Sequence, residues 1–227
     1  MHRRSIIALG GTLAALVLAS STAGAASPGG TTVTVRVEGK SKTLLAPTVI
    51  HTHTGWITRY GAPKGKCKAT SAAGALDVAT RHKWTGTWES SFGDYEITAI
   101  LGEKHPFSSH SYWELFVDNA SSNFGACGTK LHHGATVLFA AVPDSGEFPL
   151  ALSAPKSARV GHSITIKVDY YNAKGTATPL AGAKVDGKST NSKGTVTITP
   201  ARAGTLTLKA TKAGYIRSAA VKVHVSH

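Results

Sequence analysis

The sequence predicts two domains of different fold class, an α+β domain with a β-grasp-like sheet and one helix, followed by an all-β immunoglobulin-like sandwich. One segment with helical periodicity lies among strand-like segments before residue 143. From Leu150 onward helical periodicity is lost, and alternating segments are separated by Gly-containing turns. The charge changes here as well: residues 26–150 hold eleven Lys and Arg against ten Asp and Glu, whereas residues 151–227 hold twelve against two.

Residues 1–25 have the order of a secretory signal peptide. Arg3 and Arg4 precede the apolar run Ser5–Leu18, and small residues follow at Ala23-Gly24-Ala25. The apolar run is too short to span a bilayer, and no longer one follows it. We therefore expect cleavage after Ala25, a flexible lead-in over residues 26–31, and an extracellular protein that is either free or associated with the cell wall.

The first predicted strand is Thr32–Glu38. Valines at alternate positions face one side, and Arg36 and Glu38 face the other, as in a half-buried strand. After a turn, a strand that runs back along the first is expected to begin at Thr43–Leu45. Another short strand is expected at Val49–Thr54.

The helix is predicted over Thr70–His82. Thr70 or Ser71 can cap its N-terminus, and cationic side chains occupy its last turn. The apolar residues recur at the spacing of one helix face: Ala72, Ala75, Leu76 and Ala79.

Three further strands complete the predicted α+β domain, which spans residues 32–142. Tyr95–Leu101 and Tyr112–Val117 alternate, and the nearly continuous apolar run Val137–Val142 is typical of a buried central strand. Pro143–Pro149 carries turn residues and is the predicted linker.

The sandwich is predicted over residues 150–227. Clean alternation of apolar and polar residues predicts short strands, separated by Gly-containing turns. They are Ser163–Tyr170, Thr195–Thr199, Thr205–Lys209 and Ala219–Val225.

Cys67 and Cys127 are the two cysteines of the chain. In a reducing compartment they would be buried thiols or metal ligands, whereas outside the cell a pair is expected to form a disulfide. That bridge would close a loop of about 60 residues, which the chain-entropy model values at roughly 4 kcal/mol.

Several segments before residue 143 resemble the transcobalamin C-terminal-like domain family, a domain of unknown function in secreted bacterial proteins, notably of actinobacteria. They are Val33–Gly39, Cys67–Thr80, Ser111–Asp118, Gly125–Cys127 and Leu131–Phe139. In animal relatives this fold caps a helical barrel and helps to enclose a cobalamin. This chain has no such barrel, so the resemblance implies no cofactor here. It also has Gly134-Ala135 where bacterial members often have Gly-Asp.

The second half is similar to bacterial immunoglobulin-like modules. The matching segments are Pro179–Val185, Asn191–Thr195 and Gly214–Ser218. This resemblance implies a sandwich fold and a spacer or adhesive role, without a particular chemistry.

Aromatic residues are the candidates for ligand binding, because exposed rings stack on sugars and flat heterocycles whereas buried rings fill a core. The candidates are Trp84, Trp88, Tyr112 and Phe124. Trp113 alternates with Leu115 and is assigned to the core instead. The expected ligand is a small molecule, a glycan or a protein.

The basic second half is expected to attract polyanions such as cell-wall polymers, although the same charge could simply keep a secreted protein soluble. Lys167, Lys209 and Lys222 are the candidate polyanion-binding residues, since on strands they would face solvent. Few aromatic residues accompany them, which argues against specific nucleic-acid binding.

The sequence shows no catalytic motif and no complete set of metal ligands; His51 and His53 could supply only two zinc ligands. We therefore expect a noncatalytic binding or adhesion protein without cofactor or metal. One alternative is a hydrolase of cell-wall polymers that uses carboxylates of the first domain, namely Glu89, Asp94, Glu96, Glu103 or Glu114. Another alternative is a structural surface protein.

Overall fold

A computed structural model describes residues 29–227, and the predicted signal peptide lies outside this range. Within it, no helix has both the length and the apolar character needed to cross a membrane. The elements before residue 144 are β1 (Thr32–Glu38), β2 (Thr43–His51), β3 (Trp56–Ile57), β4 (Cys67–Lys68), α1 (Ala72–Ala79), β5 (Trp84–Glu89), β6 (Asp94–Ile100), β7 (Glu103–Lys104), a 3₁₀ turn (Phe107–Ser109), β8 (Ser111–Val117), β9 (Ala120–Ser121) and β10 (Thr136–Pro143).

The main sheet of this α+β part has the strand order β2-β1-β10-β8-β9. Its central strands β1 and β10 are parallel, while β2 and β8 flank them in antiparallel pairs. Helix α1 packs against β1 and β2. A central parallel pair, two antiparallel flanking strands and one crossing helix form a β-grasp-like arrangement, which confirms the predicted fold class.

Helix α1 is shorter than predicted at both ends. Ser71 caps it by accepting a hydrogen bond from the Gly74 backbone N–H at 3.4 Å. It ends before Arg81 and His82, whose φ angles of 52° and 62° lie in the left-handed region. A Cβ at Gly74 would lie only 1.8 Å from the carbonyl oxygen of Ala69, so glycine permits the preceding segment to pass close to the helix.

Strand β10 is covered on both faces, which explains its apolar sequence. Val137 and Phe139 point into the core beneath the helix. Leu138 and Ala140 point to the opposite face and pack in a second cluster with Ile216 of the C-terminal part. The prediction of a buried central strand agrees with this position between β1 and β8.

The C-terminal part is a β-sandwich, as predicted. Its strands are β11 (Phe148–Ser153), β12 (Ser157–Arg159), β13 (Ile164–Tyr171), β14 (Ala177–Pro179), β15 (Lys184–Val185), β16 (Lys188–Ser189), β17 (Thr195–Ile198), β18 (Gly204–Leu208), β19 (Ala210–Thr211), β20 (Tyr215–Ile216) and β21 (Val221–Ser226). The larger sheet has the order β14-β13-β11-β20, with β17 also paired to β13, and a second sheet has the order β12-β21-β18. Ile166 of β13 and Val223 of β21 lie in one core cluster, so the two sheets pack face to face.

The two cysteines form a disulfide. Cys67 of β4 is bonded to Cys127, with their Cα atoms 5.1 Å apart and 60 residues apart in sequence. The bridge joins the segment before α1 to the loop between β9 and β10, which also meet in an antiparallel bridge between Ser71 and Lys130.

A buried carboxylate joins the two parts of the chain. Glu38, at the end of β1, is 1% exposed. Oxygen atoms of its carboxylate lie 3.1 Å from nitrogen atoms of Arg36, Lys209 and Arg217. Thr43 Oγ1 also donates a hydrogen bond to it at 2.9 Å. Two of the three cations belong to the sandwich, so the contact is made only when the two parts are docked.

The sequence prediction was wrong about the polar face of β1. Arg36 and Glu38 were expected to face solvent, but both are buried. The sandwich covers this end of the strand, and the Arg36 guanidinium donates a hydrogen bond to the Arg217 carbonyl oxygen at 2.9 Å. Burial lowers the pKa of Arg36, and the neighbouring Glu38 carboxylate acts in the opposite direction.

We predict that Glu38→Gln lowers the free energy of unfolding by about 3–5 kcal/mol, because it leaves buried cations without their counter-charge. Urea unfolding followed by tryptophan fluorescence will measure this, since Trp56, Trp84, Trp88 and Trp113 all belong to the α+β part. Asp186→Asn, which removes an exposed carboxylate of the sandwich, is the control and should change stability by less than about 0.5 kcal/mol. Equal effects of the two variants would contradict the role given to Glu38.

Candidate functional site

Trp84 does not belong to a ligand site, contrary to the sequence prediction. It is 2% exposed, and its indole N–H donates a hydrogen bond to Asp77 Oδ1 at 2.7 Å. Its ring packs edge-on against Tyr60 and Tyr95, with centroids 5.0 Å and 5.1 Å away. The residue is buried because the helix carboxylate Asp77 satisfies its only polar group.

Trp88 is half-buried and packs against the same core, with its ring edge-on to Tyr95 at 5.2 Å. Tyr112 is also half-buried, but it lies on the opposite side of the sheet from Trp113 and stacks on Phe107 with ring centroids 5.6 Å apart. Burial, followed by the neighbouring Glu114 carboxylate, raises the pKa of Tyr112 to about 12.

Phe124 lines a cavity with a volume of about 860 Å³. Three phenylalanines from separate turns line it: Phe92 is 84% exposed, Phe107 64% and Phe124 70%. We call this site the phenylalanine cavity. A smaller cavity of about 270 Å³ adjoins it, sharing Phe107 and Phe124 and adding Tyr112. The structure thus brings Tyr112 and Phe124 together and places Trp84 elsewhere.

Asp94 holds the loop that carries Phe124. Its carboxylate accepts hydrogen bonds from three backbone N–H groups, including those of Cys127 at 2.9 Å and Gly128 at 2.8 Å. A Cβ at Gly125 would lie 2.5 Å from Asp94 Cγ, so only glycine lets the loop pass over the carboxylate. The disulfide through Cys127 fixes the same loop from the other side.

Two further carboxylates line the phenylalanine cavity. Glu89 lies opposite Asp94 in the β5–β6 pair, and Glu96 follows Asp94 by two residues, so all three side chains share one face of the hairpin. Glu96 accepts a hydrogen bond from the Phe107 backbone N–H at 3.2 Å. Asp94 and Glu96 therefore position the turns that carry Phe124 and Phe107.

Sequence reasoning missed Phe92 and Phe107. Each lies in a polar turn, within Ser90-Ser91-Phe92-Gly93 and Pro106-Phe107-Ser108-Ser109. A large apolar side chain in such a turn has no strand or helix face on which to be buried, and this is the signal that could have revealed it.

The three candidate lysines do not form one patch. Lys209 was predicted to face solvent, and this is wrong, because it lies between β18 and β19 and contacts Glu38. Lys167 is exposed, with its ammonium 3.0 Å from Asp169. Lys222 is exposed on the other sheet of the sandwich, so Lys167 and Lys222 lie on opposite outer faces of the sandwich.

The histidines are dispersed. Across residues 29–227, no group of three or more His, Cys, Asp or Glu side chains is placed to hold a metal ion. His51 Nδ1 lies 3.1 Å from Thr32 Oγ1, and His132 Nε2 lies 3.4 Å from Asp118 Oδ2.

His105 links an acid to a serine, an arrangement that the sequence did not suggest. Its Nε2 lies 2.8 Å from Glu103 Oε1, and its Nδ1 lies 2.7 Å from Ser111 Oγ. His105 is buried, with its ring edge-on to Trp113. Burial acts to raise the pKa of Glu103, but hydrogen bonds from His105 and the Lys40 backbone N–H outweigh it, so this pKa lies below its ordinary value.

The comparisons with known proteins show a distant likeness among solved structures. No family model matches the chain, and no curated protein matches it. Among solved structures, the chain is similar to the crystal structure of haptocorrin in complex with Cbi, with a TM-score of 0.39 and 16% sequence identity. The match covers 51% of this chain and 25% of that one, so the chain spans about a quarter of that protein's length. The family resemblance drawn from the sequence therefore stays a prediction.

We predict that Glu103→Gln lowers stability at neutral pH and that this loss shrinks as the pH falls. A carboxyl whose pKa is lower in the folded than in the unfolded chain stabilises the fold above its unfolded pKa, and the contribution disappears as the pH falls through its folded pKa. Melting temperatures of both proteins at about pH 6 and about pH 3 will measure the difference. A difference that is the same at both values would show that Glu103 contributes no pH-dependent stability.

Proposed function

We propose that this chain is a secreted, noncatalytic binding protein that holds an extracellular ligand in the phenylalanine cavity. The observation that carries the proposal is the position of three exposed phenylalanines around one concave site of about 860 Å³. A site of that size accommodates a small molecule or the end of a glycan.

The exposure of these rings calls for an explanation. Burial of a phenylalanine side chain stabilises a fold by about 1.5–3 kcal/mol. Phe92, Phe107 and Phe124 are largely exposed, so each contributes only a small part of that stabilisation. Scattered apolar residues on a surface are ordinary, but rings from three separate turns around one cavity form an apolar site that water solvates poorly. A ligand that stacks on the rings would recover this free energy.

The scaffold of the site is suited to recognition. Two of its turns are fixed by hydrogen bonds to Asp94 and Glu96, and the turn with Phe124 is also joined to the disulfide. A ligand that enters a preformed site loses less free energy in ordering it than a ligand that must order flexible loops.

We predict that Phe107→Ala and Phe124→Ala each weaken binding of a neutral apolar dye, Nile red, by roughly five- to thirtyfold, because each removes one wall of the cavity. Dye fluorescence titration will measure the affinity. Phe148→Ala is the matched control, since Phe148 is 38% exposed at the start of β11 and lies outside the cavity. Equal affinities of all three variants would show that the dye binds outside the phenylalanine cavity and would contradict the binding function proposed for it.

We propose further that the basic sandwich is a spacer that associates with anionic polymers of the cell wall. Its exposed lysines include Lys156, Lys167, Lys174, Lys188, Lys193 and Lys222. Because they are distributed over both sheets and their turns, the attraction is diffuse and acts through the summed field instead of a single site.

We predict that the chain from Ala26 onward pellets with purified cell walls at low salt and is released at a few hundred millimolar salt, because screening shortens the range of exposed charges. The bound fraction across a salt series is the measurement. Binding that persists in high salt would contradict the electrostatic model, and assembly of the purified chain without walls would favour a structural surface role.

A second candidate function is acyl transfer, favoured by the contacts among Glu103, His105 and Ser111. A serine hydroxyl hydrogen-bonded to a histidine that an acid orients is the arrangement that activates a nucleophile. The carboxylate hydrolase expected as an alternative is less well supported, since the Asp94 carboxylate is bound by backbone N–H groups.

This candidate predicts that a fluorophosphonate labels Ser111: the Ser111 oxygen bonds to phosphorus, fluoride leaves, and the proton passes to His105. Mass spectrometry of peptides locates the label. Ser111→Ala should abolish labelling, and Ser109→Ala should not, although the two hydroxyl oxygens are 3.1 Å apart. An unlabelled Ser111 in the unmodified chain would exclude an activated serine and leave binding as the function.

A further inference from the structure

The charged side chains that line the phenylalanine cavity are all acidic. They are Glu89, Asp94 and Glu96, and neither Lys, Arg nor His is among the described residues that line it. Residues 26–150, which contain this cavity, hold eleven Lys and Arg against ten Asp and Glu. A lining with three carboxylates and no cation therefore departs from the nearly balanced composition of this part of the chain.

A second cavity of the molecule shows the contrast. The cavity of about 460 Å³ between the two parts is lined by Lys40, Lys184, Lys212 and Arg217 together with two glutamates. That lining contains cations as well as carboxylates, whereas the charged residues that line the phenylalanine cavity are carboxylates alone.

The structural contacts of Asp94 and Glu96 do not remove their charge. Both accept hydrogen bonds from backbone N–H groups, which are dipoles without net charge, and no cationic side chain lines the cavity to neutralise them. The third carboxylate, Glu89, is half-buried at the end of β5. A negative potential is therefore expected inside the cavity.

The phenylalanines add to this preference. The face of an aromatic ring carries the negative part of its quadrupole and attracts a cation placed over it. A cation with an apolar body would contact the rings of Phe92, Phe107 and Phe124 and would lie close to the carboxylates. A neutral apolar ligand would use only the rings, and an anion would be repelled.

We propose that the phenylalanine cavity binds an organic cation, an alkylated ammonium group on an apolar or aromatic body. This inference rests on the proposed function, because it names the ligand class of the same site. Three probes of nearly equal size separate the contributions: benzyltrimethylammonium, its uncharged carbon isostere neopentylbenzene, and benzenesulfonate.

The experiment is a titration of the ¹⁵N-labelled chain from Ala26 onward with each probe, followed by amide chemical shifts. Benzyltrimethylammonium should shift amides of the three phenylalanine turns and bind roughly fivefold or more tightly than neopentylbenzene, with benzenesulfonate weakest. Glu89→Gln should reduce the affinity for the cation roughly threefold without changing that for neopentylbenzene. Asp186→Asn removes the same charge from the sandwich and should change neither affinity.

The other outcomes are distinguishable. If neopentylbenzene or benzenesulfonate binds as tightly as the cation, the preference for cations is wrong and the binding function stands. If no probe shifts the phenylalanine turns, both the binding function and the cation inference fail. If Phe107→Ala weakens the cation and neopentylbenzene alike while Glu89→Gln leaves the cation unaffected, the rings bind the ligand and the carboxylates do not select its charge, which also overturns the inference.

Discussion

Burial of the Glu38 carboxylate is the constraint on which the arrangement of the two parts depends. Removing an ion from water costs several kcal/mol, and only close opposite charges and hydrogen bonds offset that cost. Arg36 supplies one cation from β1 itself, while Lys209 and Arg217 supply two from the sandwich. Undocking would leave Arg36 alone beside Glu38 and would expose the apolar cluster around Ile216. The charge cluster therefore determines the orientation in which the sandwich covers the sheet, and the apolar cluster supplies non-directional attraction.

The phenylalanine cavity uses buried charge differently. Asp94 is stabilised by backbone N–H groups, which position a loop and leave the negative charge in place. Glu38 is surrounded by cations, so its charge is balanced locally and holds two parts together. The same side-chain chemistry thus serves docking in one place and loop positioning in the other. The difference lies in whether cations of the sandwich reach the carboxylate.

Much of the fold could be predicted because the alternation of apolar and polar residues, and the turn residues between strands, are local signals. The pattern of Ile164, Ile166 and Val168 identified β13, and the apolar run at Val137 identified a central strand. Alternation cannot distinguish solvent from a neighbouring domain, which is why Arg36 and Glu38 were assigned to the wrong environment. The site was largely hidden for a related reason. Phe92, Phe107 and Phe124 lie in three separate turns, which are brought together by the pairing of β5 with β6 and by the contacts of Asp94 and Glu96.

Docking also limits what the basic sandwich can do. Lys209 and Arg217 are engaged by Glu38, so they contribute little to an external polyanion while the two parts are docked. The remaining lysines are exposed on both sheets, with Lys167 and Lys222 on opposite faces. A polymer lying along one face would meet only a fraction of the positive charge, so the association should be weak, multivalent and insensitive to any single lysine. The anionic polymers of the wall would be attracted to the basic sandwich and not to the acidic cavity. The cavity in the α+β part would therefore remain open to small cations while the sandwich is bound to the wall.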